Sequence, residues 1–331
     1  MTRSIFAAEI GEARRTERIA ISSPGDFALA KKHAISRDEA MAQSLLPYCL
    51  DFIGRRALYV GGVEARGAQA APFYYLHLRR HATRIVSVPW ESNPLAKNAA
   101  GAPVFLFSPG RCGSTLLSRI LFAAGVANVS EPDFYTQATT APVASRANPF
   151  RATIGRAAAA MGSDLAAALD AAQSPVVKLR AESCRAPDLL VQPQERRTLF
   201  MTRGFEGWAR SNGRAFGNAA AKSVGKYMRT LDCYAWLRRN SACHLVRYED
   251  LLIDAPGTMA ALAGFLRREI SPASVASTMK EDSQEGTPLA QGARAGRPGW
   301  EKRFDETMAL WNSARVKRAR DRLDVDELRT G

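Results

Sequence analysis

From Pro103 onward, short apolar runs alternate with longer amphipathic or small-residue stretches, and this alternation constrains the fold more than any other feature. PVFLFS (103–108), VANVS (126–130), SPVVKLR (174–180), RRTLFMTR (196–203) and ACHLVRY (242–248) read as strands. STLLSRILFAAG (114–125), the Ala-rich segment 151–172, EGWARSNGRAF (206–216), residues 222–240 and PGTMAALAGFLRRE (256–269) read as helices between or after them. Such a series predicts an α/β fold, a mostly parallel sheet with helices on both faces. Ligands of such sheets gather beyond the carboxyl ends of the strands, so the turns after Phe107, Leu179, Met201 and Val246 are where chemistry is sought.

Residues 1–100 read as an N-terminal extension, joined at ESNPLAKNAAGAP (91–103) to a domain spanning 101–331. The extension predicts a helix across SRDEAMAQSLLPYCLDFIG (36–54) and strands at RALYVGG (56–62) and PFYYLHLRRHATRIVSVPW (72–90). His77 and His81 have helical spacing, but the second of these strands would separate them along an extended chain, so no metal site is expected there.

Composition removes several function classes. No stretch approaches the ~20 consecutive apolar residues of a membrane span, and MTRSIFAAEIGEARR lacks the apolar core of a secretion signal. A cytoplasmic protein is expected. Its five cysteines form no CxxC pair, which argues against a disulfide framework or a zinc site. Lys and Arg total 46 against 32 acids, a formal charge of +14, and only nine of the 46 are lysines. That charge attracts polyanions. The cations are scattered without a basic stripe interleaved with aromatics, so nucleic acid is not the expected partner.

The densest local signal is Ser108-Pro-Gly-Arg-Cys-Gly-Ser-Thr115, between an apolar strand and an apolar helix. Gly110 and Gly113 let main-chain amides converge where a helix begins, and the positive end of that helix adds a partial charge. Arg111, Cys112, Ser114 and Thr115 complete the turn. In a protein that binds nothing, the same residues make a tight corner at Gly113 with Ser114 or Thr115 as a cap; Arg111 between two glycines favours an anion. A Walker A loop needs Gly at 108 and Lys at 114, where this chain has Ser108 and Ser114.

These residues resemble the phosphate loop of the sulfotransferases that use 3′-phosphoadenosine-5′-phosphosulfate (PAPS), with Cys112 where that family usually has Ser. A second resemblance is Arg203 closing a strand with Ser211 eight residues later; in the family this pair grips the donor's 3′-phosphate. Gly204 stands where the family often has Asp or Asn. A third is RAGRPGWEKRF (294–304), similar to a late basic loop that folds over the nucleotide, in which either Arg294 or Arg297 meets the 3′-phosphate. RYEDL (247–251) also looks like a family segment. The resemblance spans 103 to about 305 and implies a P-loop-like core, PAPS as donor, adenosine 3′,5′-bisphosphate as product, no metal, and a small-molecule or glycan acceptor.

It also implies roles. Arg111 occupies the place of the family's catalytic cation, and Glu131, in VSEPDF, is the first candidate for the base that deprotonates the acceptor, with Asp133 the fallback. Glu131 equally reads as a carboxylate at a helix start. Lys178 and Arg180 are candidates for holding the sulfonate or an anionic acceptor, and equally read as partners of a nearby acid. Against the sulfotransferase stand a P-loop nucleotide kinase or NTPase, which Ser114 disfavours, and an Arg-rich nucleic-acid-binding protein.

Overall fold

The computed structural model describes residues 4–92, 95, 102–145, 147–169, 174–191, 196–281, 298–325 and 328. Among the described residues ten strands form two sheets: β1 Ile5–Ala13, β2 Phe27–Ile35, β3 Leu46–Asp51, β4 Arg56–Gly61, β5 Arg84–Pro89, β6 Val104–Phe107, β7 Asn128–Ser130, β8 Val176–Lys178, β9 Arg197–Thr202 and β10 Ala242–Arg247. The expected parallel sheet is present, in the order β10-β9-β6-β8-β7. Its parallel registers set Leu245 beside Phe200, Leu106 beside Leu199, and Val129 beside Val177. These strands are short and almost wholly buried in β6, β7, β8 and β9, as expected for a parallel sheet whose strands read as continuous apolar runs.

The chain divides into two compact units, Met1–Val104 with Val126–Gln192, and Phe105–Gly125 with Pro193–Gly331. The first carries an antiparallel sheet of order β2-β1-β5-β4-β3 and helix Arg151–Ala168. Tyr48, Leu50, Val60, Tyr74, Leu78, Val86 and Phe134 fill its core. The second is built on helix Ser114–Ala123, helix Phe205–Phe216, helix Ala220–Asn240 and helix Trp300–Trp311. There Phe205 stacks on Trp311 with ring centroids 3.7 Å apart, Tyr227 packs edge-on to both, and Trp208 is tilted against Phe205 and Tyr227.

Three expectations for the first hundred residues are corrected. The helix predicted across 36–54 stops after Arg37–Met41, which Ser36 and Glu39 close as a capping box, and the chain re-enters as β3. Pro47 has no N–H to give a helix, and Leu45 to Leu50 are buried without a polar face. The strand predicted over 72–90 is a helix, Tyr74–His81, followed by β5. Tyr74, Leu76 and Leu78 alternate at the strand period, but Tyr74, Tyr75, Leu78 and Arg79 share a helical face, and Arg79 is fully buried on it. His77 and His81 therefore lie one helical turn apart, with ring centroids at 4.5 Å. The polar start contains β1, with β2 beside it at the sheet edge, where Lys31 and Lys32 are exposed.

Candidate functional site

In the second unit β6 runs into the glycine turn, and the turn into helix Ser114–Ala123. Gly110, Arg111 and Gly113 all have left-handed backbones, with φ of 69°, 58° and 86°. Arg111 holds this conformation without being glycine, a cost met at functional turns. Gly113 has no substitute: a Cβ there would enter the Tyr248 ring. Left-handed residues amid right-handed ones aim successive amides at one point, the geometry of an anion nest.

Side chains fix the turn from several sides. The Gly110 N–H donates to Ser108 Oγ at 3.3 Å, and Ser108 and Ser114 hydroxyls lie 3.4 Å apart. Trp208 Nε1 donates to the Gly110 carbonyl at 2.8 Å, and the buried Cys112 thiol points at the Met201 carbonyl, 3.6 Å away. Ser114 and Thr115 are buried at the helix start. Arg111 Nε donates to Ser211 Oγ at 3.3 Å, so the structure brings together two residues that lie a hundred positions apart.

Arg203 follows β9 directly. Tyr227 donates its hydroxyl proton to the Arg203 carbonyl at 2.7 Å, which pins the main chain. The guanidinium lies over the Tyr248 ring at 4.7 Å and runs beside Gly207, where a Cβ would come within 2.8 Å of its Nε. Ser211 is one turn beyond Gly207 on the same helix face. Among the described residues no carboxylate pairs with this guanidinium. Gly204 caps helix Phe205–Phe216, and its N–H donates to Glu249 Oε1 at 3.0 Å; Glu249 thus takes up an N–H that a side chain at position 204 does not. Tyr248 and Glu249 belong to the RYEDL segment, to which the sequence assigned no site role, and their spacing from Arg203 gave no signal of these contacts.

Arg294 and Arg297 lie outside the described residues. Trp300, from the same segment, begins a helix with its ring under the Arg214 guanidinium at 4.6 Å.

In the first unit Glu131, Asp133, Lys178 and Arg180 form one ion cluster. Lys178 Nζ donates to Glu131 Oε1 at 2.7 Å, and Arg180 Nε is 3.6 Å from Glu131 Oε2 and 2.6 Å from Asp133 Oδ1. Asp133 Oδ2 accepts from Ser22 N and Oγ at 2.7 and 2.9 Å. Burial lifts the Asp133 carboxyl above the usual carboxylate range, against the pull of Arg180 and Ser22. Burial also opposes the charge of Arg180, but Asp133, Tyr75 and Glu131 overcome it and the guanidinium is more basic than usual. Glu131 has φ of 62°, and its N–H donates to the Lys178 carbonyl at 2.7 Å. Alongside, sequence reading missed a second buried pair, Arg79 with Asp26, both fully inaccessible and 3.1 Å apart. Tyr48 and Arg15 also bond Asp26.

No family model matches the chain, and no curated protein does. Among solved structures it is similar to the mouse sulfotransferase SULT7A1 complexed with PAP, at 11% identity over 70% of this chain and 86% of that one, TM-score 0.38. It is similar to retinol dehydratase in complex with androsterone and inactive cofactor PAP, at 16% identity over 69% and 81%, TM-score 0.36. The sulfotransferase domain of the Curacin biosynthetic pathway aligns at 16% identity over 68% and 98%, TM-score 0.38. Among the described residues no helix is long and apolar enough to cross a membrane, and no group of three His, Cys, Asp or Glu is placed to hold a metal ion.

Proposed function

We propose that this chain is a sulfotransferase that moves a sulfuryl group from PAPS to a hydroxyl or amine. The observation that carries this reading is the turn at a helix start in which Gly110, Arg111 and Gly113 are left-handed, with Arg111 bonded to Ser211 and Arg203 on Tyr248 without an acid partner among the described residues. Amides, hydroxyls and cations in that arrangement suit a dianionic ligand with a second phosphate.

When bound, PAPS supplies a sulfuryl group on a phosphate leaving group. In an in-line displacement the acceptor oxygen or nitrogen bonds to sulfur, the bond from sulfur to the 5′-phosphate oxygen breaks, and the acceptor proton passes to a base. The Gly113, Ser114 and Thr115 amides and the Ser114 and Thr115 hydroxyls would hold the departing phosphate, and Arg111 would offset the charge gathering there. Gly110 and Cys112 shape the loop. Arg203 and Ser211 take the 3′-phosphate, with Arg294 or Arg297 completing that end.

For the base we retain Glu131, whose carboxylate is held by Lys178 and Arg180 in an unusual backbone conformation. Asp133, fully buried and bonded by Ser22, is better suited to positioning Arg180. Lys178 and Arg180 are assigned to the sulfonate or an anionic acceptor. The acceptor is a small molecule or a glycan rather than a nucleic acid. A cytoplasmic location is consistent with five free thiols, four of them buried.

Calorimetric titration tests the reading. Adenosine 3′,5′-bisphosphate is expected to bind well above AMP, with ATP and oligonucleotides weaker. Equal affinity for the bisphosphate and AMP would overturn it, and preferential binding of ATP would return the chain to the kinases.

A further inference from the structure

The first unit contains a second feature that sulfuryl transfer does not use. A cavity of about 330 Å³ opens between the segment 40–46, β4 with Val63, and the last turns of helix Arg151–Ala168. That size falls at the small end of ligand pockets, roughly 300–1,000 Å³. Leu45, Leu46, Val63 and Leu95 form its apolar wall, all buried.

Its polar lining is Gln43, Tyr59 and Asp164, with the exposed Ser44 at the rim. Asp164 is 5% exposed, on a helix otherwise rich in alanine. Tyr59, 3% exposed, donates its hydroxyl proton to Asp164 Oδ2 at 2.7 Å. Burial and the charge of Asp164 hold that phenol protonated, with Arg37 close enough to oppose them, so the hydroxyl is committed as a donor. Gln43 donates Nε2 to the Glu39 carbonyl at 3.1 Å, while its Oε1 is buried with no donor among the described residues. An orphaned buried acceptor costs about 1–3 kcal/mol. The cavity thus presents a carboxylate and an unmet amide oxygen beside aliphatic side chains. Water would satisfy Gln43 Oε1 but leave the leucine and valine wall wet.

We infer that this cavity is a binding site for a small amphiphile with a hydrogen-bond-donating head, a primary ammonium or a hydroxyl, on a medium-length apolar body. Its head meets Gln43 Oε1 and the Asp164 carboxylate, and its body covers Leu45, Leu46, Val63 and Leu95. The inference is independent of the sulfotransferase reading.

The test is calorimetric titration of the full chain with 1-octylamine, 1-octanol and octanoate. Octylamine and octanol are expected to bind at one site per chain, with octanoate at least tenfold weaker because its head is an acceptor facing acceptors. Gln43 is only partly buried, and Gln43→Leu should fold normally and weaken both donor ligands by roughly fivefold to tenfold, the worth of one hydrogen bond. Ala168→Leu, which fills the cavity from the helix side, should abolish binding of both. Octanoate binding as tightly as the donors, unchanged affinity in Gln43→Leu, or no saturable binding of either donor ligand would each overturn the inference.

Discussion

The two units hold their charges differently. In the first, Arg79, Asp26, Asp133 and Lys178 are buried, Arg180 and Glu131 are partly so, and all six are engaged in ion pairs and hydrogen bonds. In the second, the Arg203 main chain is fixed by Tyr227 and its guanidinium lies against Tyr248 and Gly207, but no carboxylate meets it among the described residues. A cation whose bonding capacity is met inside the protein specifies a fold, because its removal leaves a partner stranded in low dielectric. A cation held in place by packing, with hydrogen-bond donors to spare, specifies a ligand. Charge alone therefore does not locate function; what matters is whether the charge is answered within the chain.

The comparison is most exposed at Asp26. Asp26→Ala leaves Arg79 with no anion and only the Tyr48 and Ser22 hydroxyls and the Arg18 and Ala20 carbonyls as partners, and should cost about 3–5 kcal/mol in urea denaturation. A double variant with Arg79→Met should recover part of that loss, and a cost near zero would show the pair to be dispensable. Glu131→Gln probes the member of the closed network assigned as base: turnover should fall on the order of 10²–10⁴-fold with bisphosphate affinity retained. Near-normal turnover would move the base elsewhere and leave Glu131 a partner of Lys178. Gly113→Ala forces a methyl group into Tyr248 and a left-handed backbone on alanine. About 2–4 kcal/mol of destabilisation should accompany loss of bisphosphate binding. Arg203→Ala separates the units most cleanly: bisphosphate affinity should drop by about 1.5–3 kcal/mol, the range for a charge-assisted bond, with the denaturation midpoint unmoved. A large stability loss in this variant would place Arg203 with the first unit's cations.

Legibility in the sequence follows the same division. β6, β8, β9 and β10 are readable because each carries a short apolar run between helical stretches, and the glycine turn because its chemistry lies within eight consecutive residues. The spacing of Arg203 and Ser211 is readable because it is local to a strand and the next helix. The bond from Arg111 to Ser211 is not, because nothing in either segment encodes the other. In the first unit the partners of Asp26 and Asp133 lie tens to more than a hundred residues away, and a buried arginine at position 79 hides the helical period under an apparent strand period. β2 escapes notice because an edge strand carrying Lys31 and Lys32 has the composition of a loop.

His77 is the exception within the first unit and provides the smallest prediction. It is half-buried, and burial first, then the nearby His81 and Arg80, lower its pKa from 6.5 to about 4. Arg80 is itself paired with Glu17 at 3.1 and 2.5 Å, which reduces but does not remove its repulsion. Between those two pH values the unfolded chain binds a proton at this residue that the folded chain refuses, so the contribution to stability is full above about 6.5 and is lost as pH falls to about 4. Asp133 acts in the opposite sense, because a carboxyl raised by burial favours the folded state as it becomes protonated. Total stability therefore does not isolate His77, but the difference between the parent chain and His77→Gln does. Urea midpoints measured across this window should fall more steeply with acid in the parent than in the variant. Parallel curves would mean that the folded chain protonates His77 normally, and that His81 and Arg80 are as well answered as the other charges of their unit.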